Sequence, residues 1–187
     1  IKKAAGDAVH IGQYLLMNGG SITYDENTMS DGIQVETMLL DDNLTPDSTK
    51  EENGKIFING GTINGVIAHE DCKGLKNDEG DVFISGGNIR ILANGNGSRG
   101  IQTDGNMTIS ADAGETNIYI EANGAKCTDP ADAVDPHRCM GIKVEKNLVV
   151  TGGTTAAHAN GSKSRAIKVN GTYTKTGGTV IGAVILP

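Results

Sequence analysis

Ser98-Arg99-Gly100-Ile101-Gln102-Thr103 recurs along the chain in altered form. The related stretches are Gly6-Asp7-Ala8-Val9-His10-Ile11, Ser30-Asp31-Gly32-Ile33-Gln34-Val35, Cys72-Lys73-Gly74-Leu75-Lys76-Asn77, Cys139-Met140-Gly141-Ile142-Lys143-Val144 and Ser164-Arg165-Ala166-Ile167-Lys168-Val169. Their apolar anchors are separated by 24, 42, 26, 41 and 25 residues, so each long gap holds one period and an insertion. A repeat of this length is typical of a solenoid, in which each unit buries its apolar face against its neighbours.

Each repeat continues with two more alternating segments that end at glycine-rich corners. A double glycine follows the second segment, as in Ile56-Phe57-Ile58-Asn59-Gly60-Gly61, and the third often ends in a corner such as Ala93-Asn94-Gly95. Because Asn and Gly accept positive φ at low cost, both corners are predicted turns. The pattern therefore predicts an all-β fold, a single-stranded parallel β-helix of about six to seven rungs with three strands per rung.

Two acidic insertions interrupt this pattern, over about residues 38–54 and 125–138. We expect surface loops at both places, since repeat proteins tolerate extra chain at their corners. Only one repeat pattern is present, so residues 1–187 are predicted to form a single β-helix domain. The chain starts at Ile1-Lys2-Lys3 without an initiator methionine or an apolar signal region, and we expect it to belong to a longer precursor.

Composition argues against two classes of partner. The net charge is -7 and there is no basic tract, which argues against nucleic-acid binding. No apolar run approaches the roughly 20 residues that span a bilayer, so we expect no transmembrane segment in this chain. The sequence does not determine the oligomeric state.

The chain has three cysteines, which allow one disulfide and one remaining thiol. Cys127 and Cys139 flank the second insertion and are the favoured pair, which would indicate an oxidising compartment. The alternative is that all three cysteines are thiols.

Stacking of the repeats predicts an acidic corner at one end of the coil. Carboxylates on adjacent turns repel each other, and a bound cation would relieve that repulsion. Calcium is the favoured ion because it takes six to eight oxygen ligands, chiefly from carboxylates and carbonyls. The candidate ligands are Asp7, Asp31, Glu36, Glu70 and Asp71. The alternative is a set of solvated acidic side chains.

The Gly-Ile-Lys-Val and Ile-x-Ile-x-Gly-Gly-Thr-Ile ladders resemble a bacterial family of secreted carbohydrate-binding proteins, over roughly residues 6–185. The known members of that family are right-handed parallel β-helices, related in shape to pectate lyases, that bind calcium and plant polysaccharides such as cellulose and pectin. The resemblance implies a right-handed coil, a secreted or cell-surface location and calcium-dependent carbohydrate binding. Met140 departs from the family pattern, which places charged residues directly before Gly-Ile.

The aromatic content restricts the class of polysaccharide that we expect as the ligand. There is no tryptophan, and the other aromatics are four Tyr and two Phe, so a flat platform for neutral crystalline glucan is not expected. An acidic, uronate-containing polysaccharide would instead require cations, and a guanidinium fork suits carboxylates. The candidate ligand-binding residues are Lys73, Lys76, Arg99, Gln102, Lys143, Arg165 and Lys168.

Two other functions remain open at this point. A polysaccharide lyase of the pectate type would use Lys73 and Arg99, which the repeat places one turn apart. A lysine base must lose its proton, whereas the acidic neighbours of Lys73 favour the charged form, so binding is preferred over catalysis. The other alternative is a structural or adhesin stalk without glycan binding of its own.

Overall fold

Strands make up all the regular secondary structure in the computed structural model, which describes residues 1–37, 40–45, 47, 49–127 and 137–187. In chain order they are β1 (Val9–Ile11), β2 (Leu15–Met17), β3 (Ser21–Tyr24), β4 (Ile33–Val35), β5 (Ile56–Ile67), β6 (Lys73–Asn77), β7 (Val82–Ala93), β8 (Arg99–Thr103), β9 (Met107–Ile109), β10 (Thr116–Ala122), β11 (Met140–Val144), β12 (Leu148–Val150), β13 (Thr154–Ala159), β14 (Arg165–Val169), β15 (Tyr173–Lys175), β16 (Thr179–Ile181) and β17 (Val184–Ile185).

The strands form two sheets in which neighbours come from successive repeats. A seven-stranded sheet has the order β1-β4-β6-β8-β11-β14-β17. A ten-stranded sheet follows the path β15-β12-β9-β7-β10-β13-β16, and β5 joins β2 and β3 to β7. All pairs between these strands are parallel. The all-β class is confirmed, and the parallel stacking of repeats is the arrangement of a parallel β-solenoid.

The core is a column of stacked aliphatic side chains. The predicted anchors are direct partners across the seven-stranded sheet, in the order Val9, Ile33, Leu75, Ile101, Ile142 and Ile167. All except the partly buried Val9 are fully buried, and they belong to one apolar cluster that extends from Met17 to Val169. Period-two alternation turns these side chains inward and their neighbours outward, which defines the outer face of the sheet.

Two polar residues interrupt the second inward column, and both bind backbone. Asn77 donates from Nδ2 to the Gly54 carbonyl at 3.0 Å. Thr103 donates from Oγ1 to the Gly80 carbonyl at 3.1 Å and accepts from the Gly105 amide at 3.0 Å. Thr103 and the amide nitrogen of Asn77 thus have partners inside the coil, whereas the buried Asn77 Oδ1 has none among the described residues.

The structure differs from the sequence prediction at the double-glycine corners of two repeats. There the second and third predicted strands form one continuous strand, β5 or β7, with a register irregularity around Asn59. Gly61 and Gly87 adopt φ of 93° and 99°, so the chain bends at these glycines without leaving the ladder. A corner signal in the sequence therefore marks a bend rather than a strand end at these positions.

Tyr24 fills the core where three glycines leave room. The residue is 1 % exposed, and its hydroxyl donates to the Gly74 carbonyl at 2.8 Å. A Cβ built on Gly32 or Gly65 would lie 2.3 Å or 2.1 Å from Tyr24 Cζ. These glycines are therefore required by packing, since neither backbone is in the left-handed region.

Cys127 and Cys139 are buried thiols, as is Cys72, so the predicted disulfide is not formed in this structure. The backbone pairing between the two ends of the second insertion explains why the cysteines are not bonded to each other. The Cys127 amide bonds the His137 carbonyl, and the Cys139 amide bonds the Ala125 carbonyl, on either side of an antiparallel bridge. The two cysteines are diagonal partners, about 7–8 Å apart, beyond the roughly 4.4–6.8 Å between Cα atoms of a disulfide.

Most of the second predicted insertion, residues 128–136, lies outside the described residues, as do positions 38, 39, 46 and 48 of the first. Within the part of the chain that is described, no helix has the length and apolar character needed to cross a membrane.

Candidate functional site

The outer face of the seven-stranded sheet carries three tracks of polar and charged side chains. Register places equivalent residues of successive repeats directly above one another. The first track is Asp7, Asp31, Lys73, Arg99, Met140 and Arg165; the second is His10, Gln34, Lys76, Gln102, Lys143 and Lys168; the third is Glu36, Asp78, Asp104, Glu145 and Asn170. Acidic residues lead the first track, and cations follow toward β14.

Asp7 lies at the acidic end of this face and is paired with His10. The Asp7 Oδ2 is 2.8 Å from His10 Nδ1, and Asp7 Oδ1 accepts from the Asp31 amide at 3.0 Å. His10 Nε2 lies 3.3 Å from Glu36 Oε2. Burial would raise the pKa of Asp7, but hydrogen bonds from His10, Ser30 and the Asp31 amide together hold that pKa below its ordinary value. Asp7 is therefore a hydrogen-bonded anion with an internal partner for each oxygen.

Asp31 lies on the adjacent turn and is also occupied by protein groups. Its Oδ1 accepts from the Lys73 amide at 2.6 Å, and its Oδ2 lies 3.7 Å from Lys76 Nζ. Burial raises the pKa of Asp31 above its ordinary value despite the opposing effect of both lysines. Lys76 also pairs with Asp78 at 3.0 Å. Both oxygens of Asp31 thus lie against an amide or an ammonium group of the chain itself.

The predicted calcium ligands do not form one calcium cage in this arrangement. Asp7 and Asp31 are together, whereas the Asp71 carboxylate binds Arg99, and Glu70 is exposed. Among the described residues, no group of three or more His, Cys, Asp and Glu side chains is placed to hold a metal ion. Calcium would have to displace His10 and Lys76 to reach the oxygens of Asp7 and Asp31.

Asp71 binds Arg99, Lys73 and His137 beside the first track. It adopts a left-handed backbone conformation with φ of 53°. Its carboxylate lies 2.8 Å from Arg99 Nη1, 3.2 Å from Lys73 Nζ and 3.0 Å from His137 Nδ1. Burial would raise the pKa of Asp71, but the charges of Lys73 and Arg99 outweigh burial and lower it. Lys73 is held in an ion pair and is poorly placed to act as the base of a lyase.

Further along the face, cations from two tracks surround a cavity of about 140 Å³. It is lined by Arg99, His137, Arg138, Met140, Lys143, Arg165, Lys168 and Asn170. Lys143 pairs with Glu145, and Asn170 bonds the same carboxylate. Arg165 and Lys168 form no ion pair with any described residue. The cavity therefore has an excess of positive charge, which favours an anion.

Arg99 is the most buried cation of this cavity, at 3 % exposure. Asp71 occupies only its Nη1 nitrogen. Its Nε is buried and makes no hydrogen bond within the described part of the chain. Because Nε and Nη2 lie on one edge of the guanidinium, Arg99 retains a two-donor edge of the kind that binds both oxygens of a carboxylate. A buried donor without an acceptor is costly, and an anion would remove that cost.

The predicted ligand-binding residues divide into two groups. Arg99, Lys143, Arg165 and Lys168 come together around the cavity. Lys73 and Lys76 form ion pairs with Asp71 and Asp78, respectively, and Gln102 donates to Asp104 at 3.4 Å. Burial raises the pKa of Asp104, while its bond from Gln102 acts in the opposite direction.

Sequence reasoning missed two cavity residues, His137 and Arg138. They lie at the end of the second insertion, outside the repeat, so no periodic signal places them near Arg99. The antiparallel bridge between Lys126 and Arg138 returns the chain to the coil at this point. Asn170 and Met140 do lie within the repeat, and Met140 was visible only as a break in a charged track.

Comparison with known proteins identifies no relative from which a function follows: no family model, no curated protein and no solved structure matches this chain.

Proposed function

We propose that this protein is a carbohydrate-binding parallel β-helix that binds an acidic, uronate-containing polysaccharide. The observation that carries the proposal is the cationic cavity, in which the buried Arg99 Nε has no acceptor and Arg165 and Lys168 have no ion-pair partner among the described residues. Polar tracks continue along the coil axis on the same face. A chain of sugars lying along that axis would place its acidic groups over the cavity.

The finer features of the proposal come from the family resemblance. They are a right-handed coil of about six to seven rungs, a secreted or cell-surface location, and a plant polysaccharide such as pectin as the ligand. Catalysis is not part of the proposal, because Lys73, one of the two residues that a lyase would use, is held in an ion pair with Asp71.

The direct test is binding of polygalacturonate, measured by isothermal titration calorimetry at low ionic strength. We expect Arg165→Gln and Lys168→Gln each to weaken binding about tenfold, since a hydrogen bond to a charged group contributes about 1.5 kcal/mol or more. Arg90→Gln is the matched control, because Arg90 is exposed on the ten-stranded sheet and its loss changes the net charge equally.

Addition of salt should weaken wild-type binding, because the cavity is open to solvent and its charges are screened. The proposal is wrong if the wild-type protein does not bind polygalacturonate. It is also wrong if the two cavity variants bind as tightly as Arg90→Gln, which would place the polymer elsewhere.

A further inference from the structure

Met140 interrupts the first track of charged side chains between two arginines. It pairs with Arg99 on one side and Arg165 on the other, and it lines the same cavity. The two arginine backbones are therefore two strand spacings apart, about 9.5 Å. Met140 itself is 7 % exposed and lies outside the main apolar cluster.

A cation in place of Met140 would have made three stacked like charges, which destabilise adjacent strands. Met140 instead places an apolar residue between the two arginines in the ladder. Arg99 keeps its Nε edge for an acceptor, and Arg165 has no ion pair with any described residue. Along the coil axis, the first track therefore presents a site for an anion at Arg99, an apolar side chain at Met140 and a second site for an anion at Arg165.

We infer that the cavity selects a polysaccharide in which acidic sugars alternate with neutral ones. This inference rests on the proposed function and specifies its ligand. We place one pyranose residue of an extended chain over each turn of the coil, since successive turns are about 4.8 Å apart. Two acidic groups over Arg99 and Arg165 would then belong to alternate sugars, and the sugar between them would face Met140.

The side chain of Met140 discriminates between the two kinds of chain. A neutral sugar can place its C–H face on the thioether and lose little hydration. A carboxylate in the same place would lose hydration against the thioether, and Lys143 on the same strand is already paired with Glu145, so this placement is costly. Binding two anions at once also makes the second contact intramolecular, so an oligomer should bind far more tightly than a monomer.

The test compares three probes by calorimetry: a hexasaccharide of alternating galacturonate and rhamnose, hexagalacturonate, and monomeric galacturonic acid. We expect the alternating hexasaccharide to bind about tenfold more tightly than hexagalacturonate, and the monomer to bind at least about a hundredfold more weakly than either. Arg165→Gln should remove most of the advantage of the alternating chain over the monomer, because only one anion site remains.

Met140→Lys should shift the preference toward hexagalacturonate, whereas Met140→Leu should preserve the wild-type order; circular dichroism of both variants checks that the coil is intact. Equal or tighter binding of hexagalacturonate to the wild-type protein would overturn the inference, as would an unchanged preference in Met140→Lys. In both cases the oligomers still bind, so the proposed function stands. If neither hexasaccharide binds, the proposed function fails together with the inference.

Discussion

At the scale of single residues, the packing of the core depends on glycines whose missing side chains leave room for a large neighbour. Tyr24 occupies space that a side chain at Gly65 would take, and its hydroxyl satisfies the Gly74 carbonyl. The same logic applies to Arg99, whose buried guanidinium is only partly satisfied by Asp71. The Tyr24 hydroxyl has its hydrogen-bond acceptor, whereas the Arg99 Nε has no acceptor among the described residues.

Gly65→Ala should therefore destabilise the protein. The new Cβ would lie 2.1 Å from Cζ of the fully buried Tyr24, which cannot move aside without disturbing the core. We expect the free energy of unfolding to fall by about 1–3 kcal/mol in urea denaturation.

Gly19→Ala is the control for Gly65→Ala, because nothing lies within 4 Å of a Cβ at Gly19. It should change stability by less than about 0.5 kcal/mol. Equal effects of the two substitutions would mean that Tyr24 does not fill the space beside Gly65.

At the scale of elements, hydrogen-bonded asparagines connect the corners of successive repeats. Asn123, after β10, donates to Asn94 Oδ1 at 2.9 Å, and Asn160, after β13, donates to Asn123 Oδ1 at 2.8 Å. The middle residue takes part in both contacts, and each end residue takes part in one. This ladder gives the repeated Ala-Asn-Gly corners a role in stacking as well as in turning.

Asn123→Ala should consequently cost more than either end substitution. Loss of two inter-turn bonds, together with the 3.2 Å bond to Glu121, should lower the free energy of unfolding by about 1–2 kcal/mol. Asn94→Ala and Asn160→Ala should each cost about half as much. Urea denaturation of the three variants is the measurement, and three equal values would show that the ladder does not couple the corners.

At the scale of the whole molecule, charge is unevenly distributed along one face. Carboxylates near β1 and β4 have internal partners, whereas Arg165 and Lys168, in the cavity near β11 and β14, form no ion pair with the residues that the structure describes. The resemblance implied that carbohydrate binding depends on calcium. In the proposed mode of binding, an acidic sugar is instead bound directly by the cations of the cavity.

Binding of polygalacturonate should therefore persist when calcium is removed. We expect the dissociation constant to change by less than about twofold between 1 mM calcium and 1 mM EGTA, because protein cations supply the charge. Calorimetric titration in the two buffers is the measurement. Loss of binding in EGTA, restored by calcium and abolished by Asp31→Asn, would instead show that calcium displaces Lys76 and bridges the sugar.

The sequence by itself determined the parallel coil and its register. Stacked aliphatics such as Ile33, Leu75 and Ile101 must share one interior, because each repeat can bury them only against the next. The same periodicity placed Arg99, Lys143, Arg165 and Lys168 on one face. It could not separate them from Lys73 and Lys76, since all six are cations at equivalent outward positions.

Only the tertiary structure decided which cations are available. Asp71, outside the repeat and held at positive φ, pairs with Lys73 and with one side of Arg99. The returning strand of the insertion brings His137 and Arg138 to the cavity and sets Cys127 diagonal to Cys139. These contacts join the repeat to segments outside it, so the spacing of the repeat could not predict them. Whether a charge is neutralised depends on the short distance to its partner and not on residue type alone.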